Sequence, residues 1–292
     1  MHAIKTRRNS PGEFLRRNWK SLLLSLILFA VAIVWLCPLF FSFFASFKTN
    51  VEMKKFSKYM NVLPIEWTTE NYAFTWNNAA APFVNMVLNS FIVSGSTVLL
   101  VLLISSTSAY AYERLEFRGK EKLFWVLFGL SMIPGIVSMV PQYYLYDALG
   151  WTNQLICLIT PYLGNVFYIF LLRNFMHGIP KDLDESARID GASDFTIYAR
   201  IILPCMYPAM MVVALFGFTG SWNDLMWPSL AITSPNRLTL TAGIRLINDS
   251  YGGRYERVLA ACMLAMIPTV ILYLFARKYF MQGLQLSAAV KG

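Results

Sequence analysis

The 292-residue chain is 57% hydrophobic and only 14% charged, with a mean hydropathy of +0.49, a balance that excludes an ordinary soluble enzyme and points to segments facing lipid. Its net charge of +9 is scattered among connections instead of forming one stripe, which fits anchoring against anionic lipid and not nucleic-acid binding. Four cysteines without CxxC spacing, at Cys37, Cys157, Cys205 and Cys262, read as small buried hydrophobes. His2 and His177 are too few and too far apart for a metal site, so no metal is assigned.

In chain order, the basic segment Lys5 to Lys20 precedes the first apolar run, Ser21–Phe47. That run far exceeds the roughly 7–15 residues of a cleavable signal core and reads as a retained anchor. Five further runs without Asp, Glu, Lys or Arg follow: Pro82–Tyr112, Leu123–Tyr146, Ala148–Leu172, Ile201–Asn223 and Val258–Ala276. A span needs about 20 apolar residues, so six transmembrane helices are expected in an all-α integral membrane protein. Arg and Lys flank spans one, two, three and six and the segment between spans four and five, placing those flanks and both termini in the cytoplasm. The outer loops nevertheless carry Lys48, Lys54, Lys55, Lys58, Arg237, Arg245, Arg254 and Arg257.

No carboxylate or histidine lies within the runs, which argues against proton- or ion-coupled transport. The polarity they hold is neutral. Asn89, Tyr162, Asn165, Trp222 and Asn223 are candidates for lining the path of a polar solute, although Ser, Asn and Gly also join helices in lipid without touching any solute. Prolines at Pro38, Pro134, Pro141, Pro161, Pro204, Pro208 and Pro268 invite bends. No phosphate-binding GxxxxGK[ST] loop is present: Gly119-Lys120 is followed by Glu121, so ATP is not hydrolysed here by that route.

Between runs four and five lies the polar segment DLDESARIDGASDFTIYARIILPCMYP, Asp182 to Pro208. It reads as helix, tight turn, helix. Asp182 and Glu185 are spaced as a capping box, Gly191 suits a left-handed residue past a helix end, Ser193 caps the next helix, and Pro204 lies where that helix enters the apolar run. Such an elbow is a docking surface for a soluble partner.

Glu185, Ala187, Gly191, Ile201, Leu203 and Pro204 stand at the spacing of a known loop pattern, with Asp190 and Ala192 completing D-G-A and Ser186 replacing the pattern's first alanine. The segment thereby resembles the cytoplasmic EAA loop of the membrane subunits of binding-protein-dependent ABC importers. Thr69-Glu70-Asn71-Tyr72, Trp222-Asn223-Asp224 with Trp227-Pro228, and the tail Gln282-Gly283-Leu284 through Ala289-Val290-Lys291-Gly292 narrow the likeness to maltose-type carbohydrate permeases, G-subunit-like.

The resemblance implies a type I ABC importer permease fold in the bacterial cytoplasmic (inner) membrane: a cytoplasmic segment 1–20, a six-span domain 21–281 with a coupling loop 176–200, and a tail 282–292. It implies a homologous second permease, two ATPase subunits that hold ATP and Mg, and an extracytoplasmic solute-binding protein, with no cofactor in this chain. Glu185, Ser186, Ala187, Asp190, Gly191 and Ala192 would meet the ATPase, Glu185 either pairing there or capping its own helix. Tyr251, Gly252, Gly253 and Arg254 would meet the binding protein. No residue is catalytic. The solute is a sugar or oligosaccharide, neutral or anionic; a permease for another class of solute is the alternative.

Overall fold

The computed structural model describes residues 11–59, 61–249 and 253–289, and among these every regular element is helical. Helices α1 (Pro11–Ala45), α2 (Asn50–Tyr59), α3 (Glu70–Asn77) and α4 (Phe83–Arg114) come first. Next are α5 (Lys120–Ser131), α6 (Gly135–Ala148), α7 (Ile156–Ile159), a 3-10 turn Thr160–Tyr162 and α8 (Val166–His177). The elbow holds α9 (Asp182–Ile189), α10 (Asp194–Ile197), a π-helical turn Tyr198–Ile202 and α11 (Leu203–Cys205). The chain finishes with α12 (Tyr207–Trp222), α13 (Met226–Ala231), a 3-10 turn Pro235–Arg237, α14 (Leu240–Asp249) and α15 (Tyr255–Ala289). The last helix runs unbroken past Gln282, so the expected tail 282–292 begins within it and not at a helix end.

Three runs are continuous and apolar enough to cross a membrane, Trp19–Ala45, Phe83–Arg114 and Tyr255–Phe275; the other three are pairs bent by 95°, 45° and 79°. The described residues therefore hold three spans, or six when each bent pair is one span. The 95° bend falls at Pro134, whose extended backbone and missing amide stop one helix and start the next. The 45° bend falls at Asn165, which turns extended and accepts the Phe167 amide on its side chain at 3.0 Å, starting α8 afresh. The 79° bend falls at Met206, between Pro204 and Pro208. Pro38, Pro141 and Pro268 instead lie inside unbroken helices.

Helix α4 is central. Its small residues Ser90, Ser94, Thr97, Ser105, Ser106 and Ala109 are buried, which lets α12 and α8 approach closely, the usual basis of helix association in lipid. Ser94 Oγ lies 3.3 Å from Ser221 Oγ on α12. One apolar cluster, with Tyr110, Leu172, Met176, Ile197 and Val213, fills the elbow side. Two others fill the opposite side, one around Trp227 and Cys157 and one around Met86, Trp222 and Leu240. Gly243 on α14 is required by contact: a Cβ there would stand 2.3 Å from Met86 Sδ. By contrast α1 buries almost none of its span within this chain, Ala45 at its end excepted, so its apolar surface faces lipid or another subunit. Cys37 and Cys205 are exposed, against the expectation of burial, because they lie on such outward faces; Cys157 is buried.

Candidate functional site

The elbow is held by backbone chemistry. Helix α9 starts with Asp182 inside its first turn and Lys181 at the cap, and Lys181 O accepts the Glu185 amide at 3.1 Å. The expected Asp182–Glu185 capping box is therefore absent; Asp182, Asp184 and Glu185 act on the helix dipole instead. At the other end Gly191 sits at φ +81°, Gly191 N donates to Arg188 O at 3.0 Å, and Ala192 N donates to Ala187 O at 2.9 Å. This is a Schellman closure, which a residue with Cβ would strain. Ser193 Oγ then accepts the Thr196 amide at 3.3 Å as the expected cap, and Arg188 reaches Asp194 across the turn at 2.7 Å.

The elbow presents two unlike faces. Glu185, Ser186, Asp190 and Gly191 are exposed and Ala192 is half-buried. Ala187 differs from the expectation of a docking residue: only 9% exposed, it packs into its own cluster with Ile197 and Met176. Ser186 Oγ donates to Asp182 O at 2.7 Å, so the residue replacing the pattern's alanine is satisfied within the helix. Ile189 and Phe195 were not anticipated. They are 86% and 75% exposed, and the signal was an apolar residue on the polar face of each short helix.

Behind the elbow, Arg114 at the end of α4 places Nε 2.9 Å from Asp184 Oδ2 and donates from a terminal nitrogen to Ile179 O at 2.8 Å. Both side chains are nearly enclosed, at 2% and 10% exposure; removing one partner of such a pair typically costs about 3–5 kcal/mol. Alongside, Arg173 bridges Glu113, at 3.1 Å, and Glu121, while His177 Nδ1 contacts Glu113 at 2.9 Å. The Arg173 hydrogen bond holds the Glu121 carboxyl below the ordinary carboxylate range.

Between the start of α8 and the end of α12, a cavity of about 410 Å³ is lined by Asn165, Phe167, Tyr168, Phe216, Thr219, Gly220 and Asn223. The structure thus unites two expected solute-path residues, Asn165 and Asn223. Tyr162 flanks them: its hydroxyl donates to Asp224 Oδ2 at 2.7 Å, and its ring borders Gly220. The remaining two candidates belong elsewhere. Asn89 spends its amide on Asn236 O and Leu238 O, at 2.8 and 3.0 Å, holding the loop before α14. Trp222 is 1% exposed, stacks with Phe218 and donates to Ala265 O at 3.2 Å. Each is a joint between helices, the other reading of neutral polarity in lipid. Asp224 was read only as part of the Trp222-Asn223-Asp224 stretch and not as a solute-path residue, because it stands one residue past its apolar run.

Of the expected binding-protein contacts, Tyr251 and Gly252 lie outside the described residues. Gly253 is exposed with φ +80°, and Arg254 departs from a free docking cation, its Nε lying 2.7 Å from Glu256 Oε1. Glu256 is fully buried and also accepts from Asn50 Nδ2 at 3.1 Å, so Arg254 compensates a charge that burial would otherwise penalise. A second cavity, of about 580 Å³, lies nearby among Lys48, Thr49, Val51, Glu52, Lys55, Asn61, Ile65 and Glu66. Among the described residues no three His, Cys, Asp or Glu side chains are grouped to hold a metal ion.

Comparison with known proteins bears on both faces. The family described as binding-protein-dependent transport system inner membrane component matches residues 14–285. The arabinooligosaccharides transport system permease protein AraQ of Bacillus subtilis is 29% identical over 269 residues, covering 92% of this chain and 95% of that protein. The galactooligosaccharides transport system permease protein GanQ of the same organism is 32% identical over 273 residues, covering 92% and 95%. Among solved structures, a chain of a bacterial ABC transporter involved in import of the acidic polysaccharide alginate superposes with a TM-score of 0.76 at 20% identity, over 94% of this chain and 100% of that one. That likeness is one of fold. The family match spans nearly the whole sequence, and the chain belongs to the inner membrane components of binding-protein-dependent transport systems.

Proposed function

We propose that the chain is one permease half of an ATP-driven importer that takes a neutral sugar or oligosaccharide from an extracytoplasmic binding protein. It pairs with a homologous second permease and with two ATPase subunits, which carry ATP and Mg. In this reading six spans cross the bacterial inner membrane, with termini and elbow cytoplasmic. Segment 176–200 is the coupling loop within the permease domain 21–281, between the N-terminal segment 1–20 and the tail 282–292.

The elbow carries the reading. A Schellman closure leaves Glu185, Ser186, Asp190, Gly191, Ile189 and Phe195 outward on a compact, stiff projection, the form needed to receive a push from a soluble subunit. Ala187 and Ala192 support it from within by fitting close to their own cluster. ATP-driven closure of the ATPase pair would shift the elbow as a body and favour one access state; hydrolysis would restore the other. Gly253 and Arg254 with the neighbouring Tyr251 and Gly252 remain the proposed binding-protein contact, Arg254 also pairing with Glu256.

The solute class follows from the cavity. Its lining offers amides from Asn165 and Asn223, hydroxyls from Thr219 and Tyr168, and the rings of Phe167 and Phe216; none of these residues is basic, and the flanking Tyr162 brings the Asp224 carboxylate to its edge. Hydroxyl-rich neutral rings satisfy such a surface, whereas a carboxylated sugar would face an acid. The relatives named for arabino- and galactooligosaccharides support the same class. The test is ATP hydrolysis in liposomes by this chain with its encoded partners, across neutral and acidic oligosaccharides and peptides. Stimulation requiring both the binding protein and a neutral sugar is expected; stimulation by peptide alone would keep the importer and overturn its cargo.

A further inference from the structure

We infer that span two, α4, is an unbroken strut that carries movement of the elbow to the outer loop before α14, with Arg114 and Ser90 as positioning residues at its two ends. This rests on the importer reading and adds a route within the chain.

The elbow end is a row. Ser106, Tyr110 and Arg114 recur every four residues and so share one helix face. Each meets the elbow: Ser106 Oγ lies 2.7 Å from Tyr198 OH, the Tyr110 and Tyr198 rings are 5.3 Å apart, and Arg114 reaches Asp184 at 2.9 Å and Ile179 O at 2.8 Å. Both arms of the elbow, α9 through Asp184 and the π turn through Tyr198, are therefore fixed to one helix.

At the far end Ser90 Oγ accepts the buried Leu240 amide at 2.7 Å, where α14 begins, and Asn89 holds Asn236 O and Leu238 O. Ser90 and Arg114 are separated by about 36 Å of helix at a rise of roughly 1.5 Å per residue. No proline or break intervenes. The three broken spans bend by 95°, 45° and 79°, and a displacement entering them can be absorbed at those joints. In the unbroken helix it arrives at the other end. The loop before α14, which leads through α14 toward the proposed binding-protein contact at Gly253, and the ATPase's elbow would thus communicate along α4 while the bent spans remain free to open and close the cavity.

The experiment uses the assembled importer in liposomes with R114K, S90A and the double variant. Lysine keeps the charge but loses the guanidinium's fork toward Asp184 and Ile179, and alanine removes only the acceptor for Leu240. Basal ATP hydrolysis should stay within about twofold of wild type, while stimulation by the loaded binding protein falls about tenfold in each single variant. The double variant should lose no more stimulation than either single one, although its losses in thermal stability add, as expected for distant sites. Multiplying losses of stimulation, or retained stimulation in R114K, would overturn the strut. Hydrogen exchange at residues 236–240 gives a second readout: a nucleotide-dependent change in wild type should vanish in R114K, and its persistence would also overturn the strut. A wild-type complex that no loaded binding protein stimulates would overturn the importer reading and the strut with it.

Discussion

Tyr162 donates its hydroxyl proton to Asp224 Oδ2 across 2.7 Å, fastening the turn before α8 to the end of α12 at the cavity's edge. Asp224 Oδ1 also accepts the Trp227 amide at 3.3 Å, so one carboxylate joins two bent spans and the start of α13. Y162F leaves that carboxylate short of a donor, whereas D224N retains an oxygen able to accept from Tyr162. The expected stability loss is about 1–3 kcal/mol for Y162F and less for D224N. Thermal unfolding in detergent measures it, and a D224N variant less stable than Y162F would contradict the assignment.

Gly191 gives the sharpest test of elbow geometry. At φ +81° an L-residue with Cβ carries strain of roughly 1–2 kcal/mol, and Asn is the least costly replacement. G191V should abolish binding-protein-dependent ATP hydrolysis while the spans still assemble, and G191N should keep a measurable fraction of it. Equal rates in wild type and G191V would show that the closure does not matter.

The outward side chains separate docking from folding. Ile189 and Phe195 are mostly exposed, so replacing both with Ser should change the isolated chain's stability by no more than about 0.5 kcal/mol each. Copurification with the ATPase should nonetheless fall sharply. A partner retained at wild-type yield would move the docking surface elsewhere on the elbow.

Apolar run length and turn chemistry made the spans and the elbow legible, since each needs only local pattern: Gly191 and Ser193 act as read. Bending was less legible because proline has two outcomes. Pro268 stays inside α15, where neighbouring turns absorb one missing donor, while Pro204 and Pro208 together flank a 79° break. Polar residues in the spans were harder still. Asn89 and Asn165 look alike in sequence, yet one bonds carbonyls 147 and 149 residues away and the other opens onto the cavity. Such pairings are tertiary and leave no local period. Arg114 was legible only as a topogenic charge, its partner Asp184 being hidden by distance along the chain.

The Glu121 carboxyl, at the start of α5 and ahead of the apolar run, gives a pH prediction. Arg173 depresses its pKa, so the stabilisation is present above the ordinary carboxylate value of about 4.3 and is lost as pH falls through the lower folded value. E121Q should be less stable than wild type at neutral pH, and the two thermal midpoints should converge in acid. A gap that is independent of pH would assign the contact to packing instead.

Gly243 and Met86 test packing on the side away from the elbow. A Cβ at Gly243 would stand 2.3 Å from Sδ and 2.7 Å from Cε of Met86, whose side chain is fully buried and so cannot swing into open space. Overpacking of this kind costs about 1–3 kcal/mol, while Gly to Ala inside a helix returns up to roughly 1 kcal/mol. G243A alone should therefore be destabilised by about 0–2 kcal/mol, the clash outweighing propensity. M86A alone opens a cavity and should cost about 2–5 kcal/mol. Together the new methyl occupies space that the shorter side chain vacates, so the double variant should be more stable than the sum of the two losses by about 1 kcal/mol or more, as neighbours sharing a volume usually couple. Strict additivity in thermal unfolding would mean that α4 and α14 do not touch through these two residues, leaving their contact to the Ser90–Leu240 hydrogen bond and the rest of the apolar cluster.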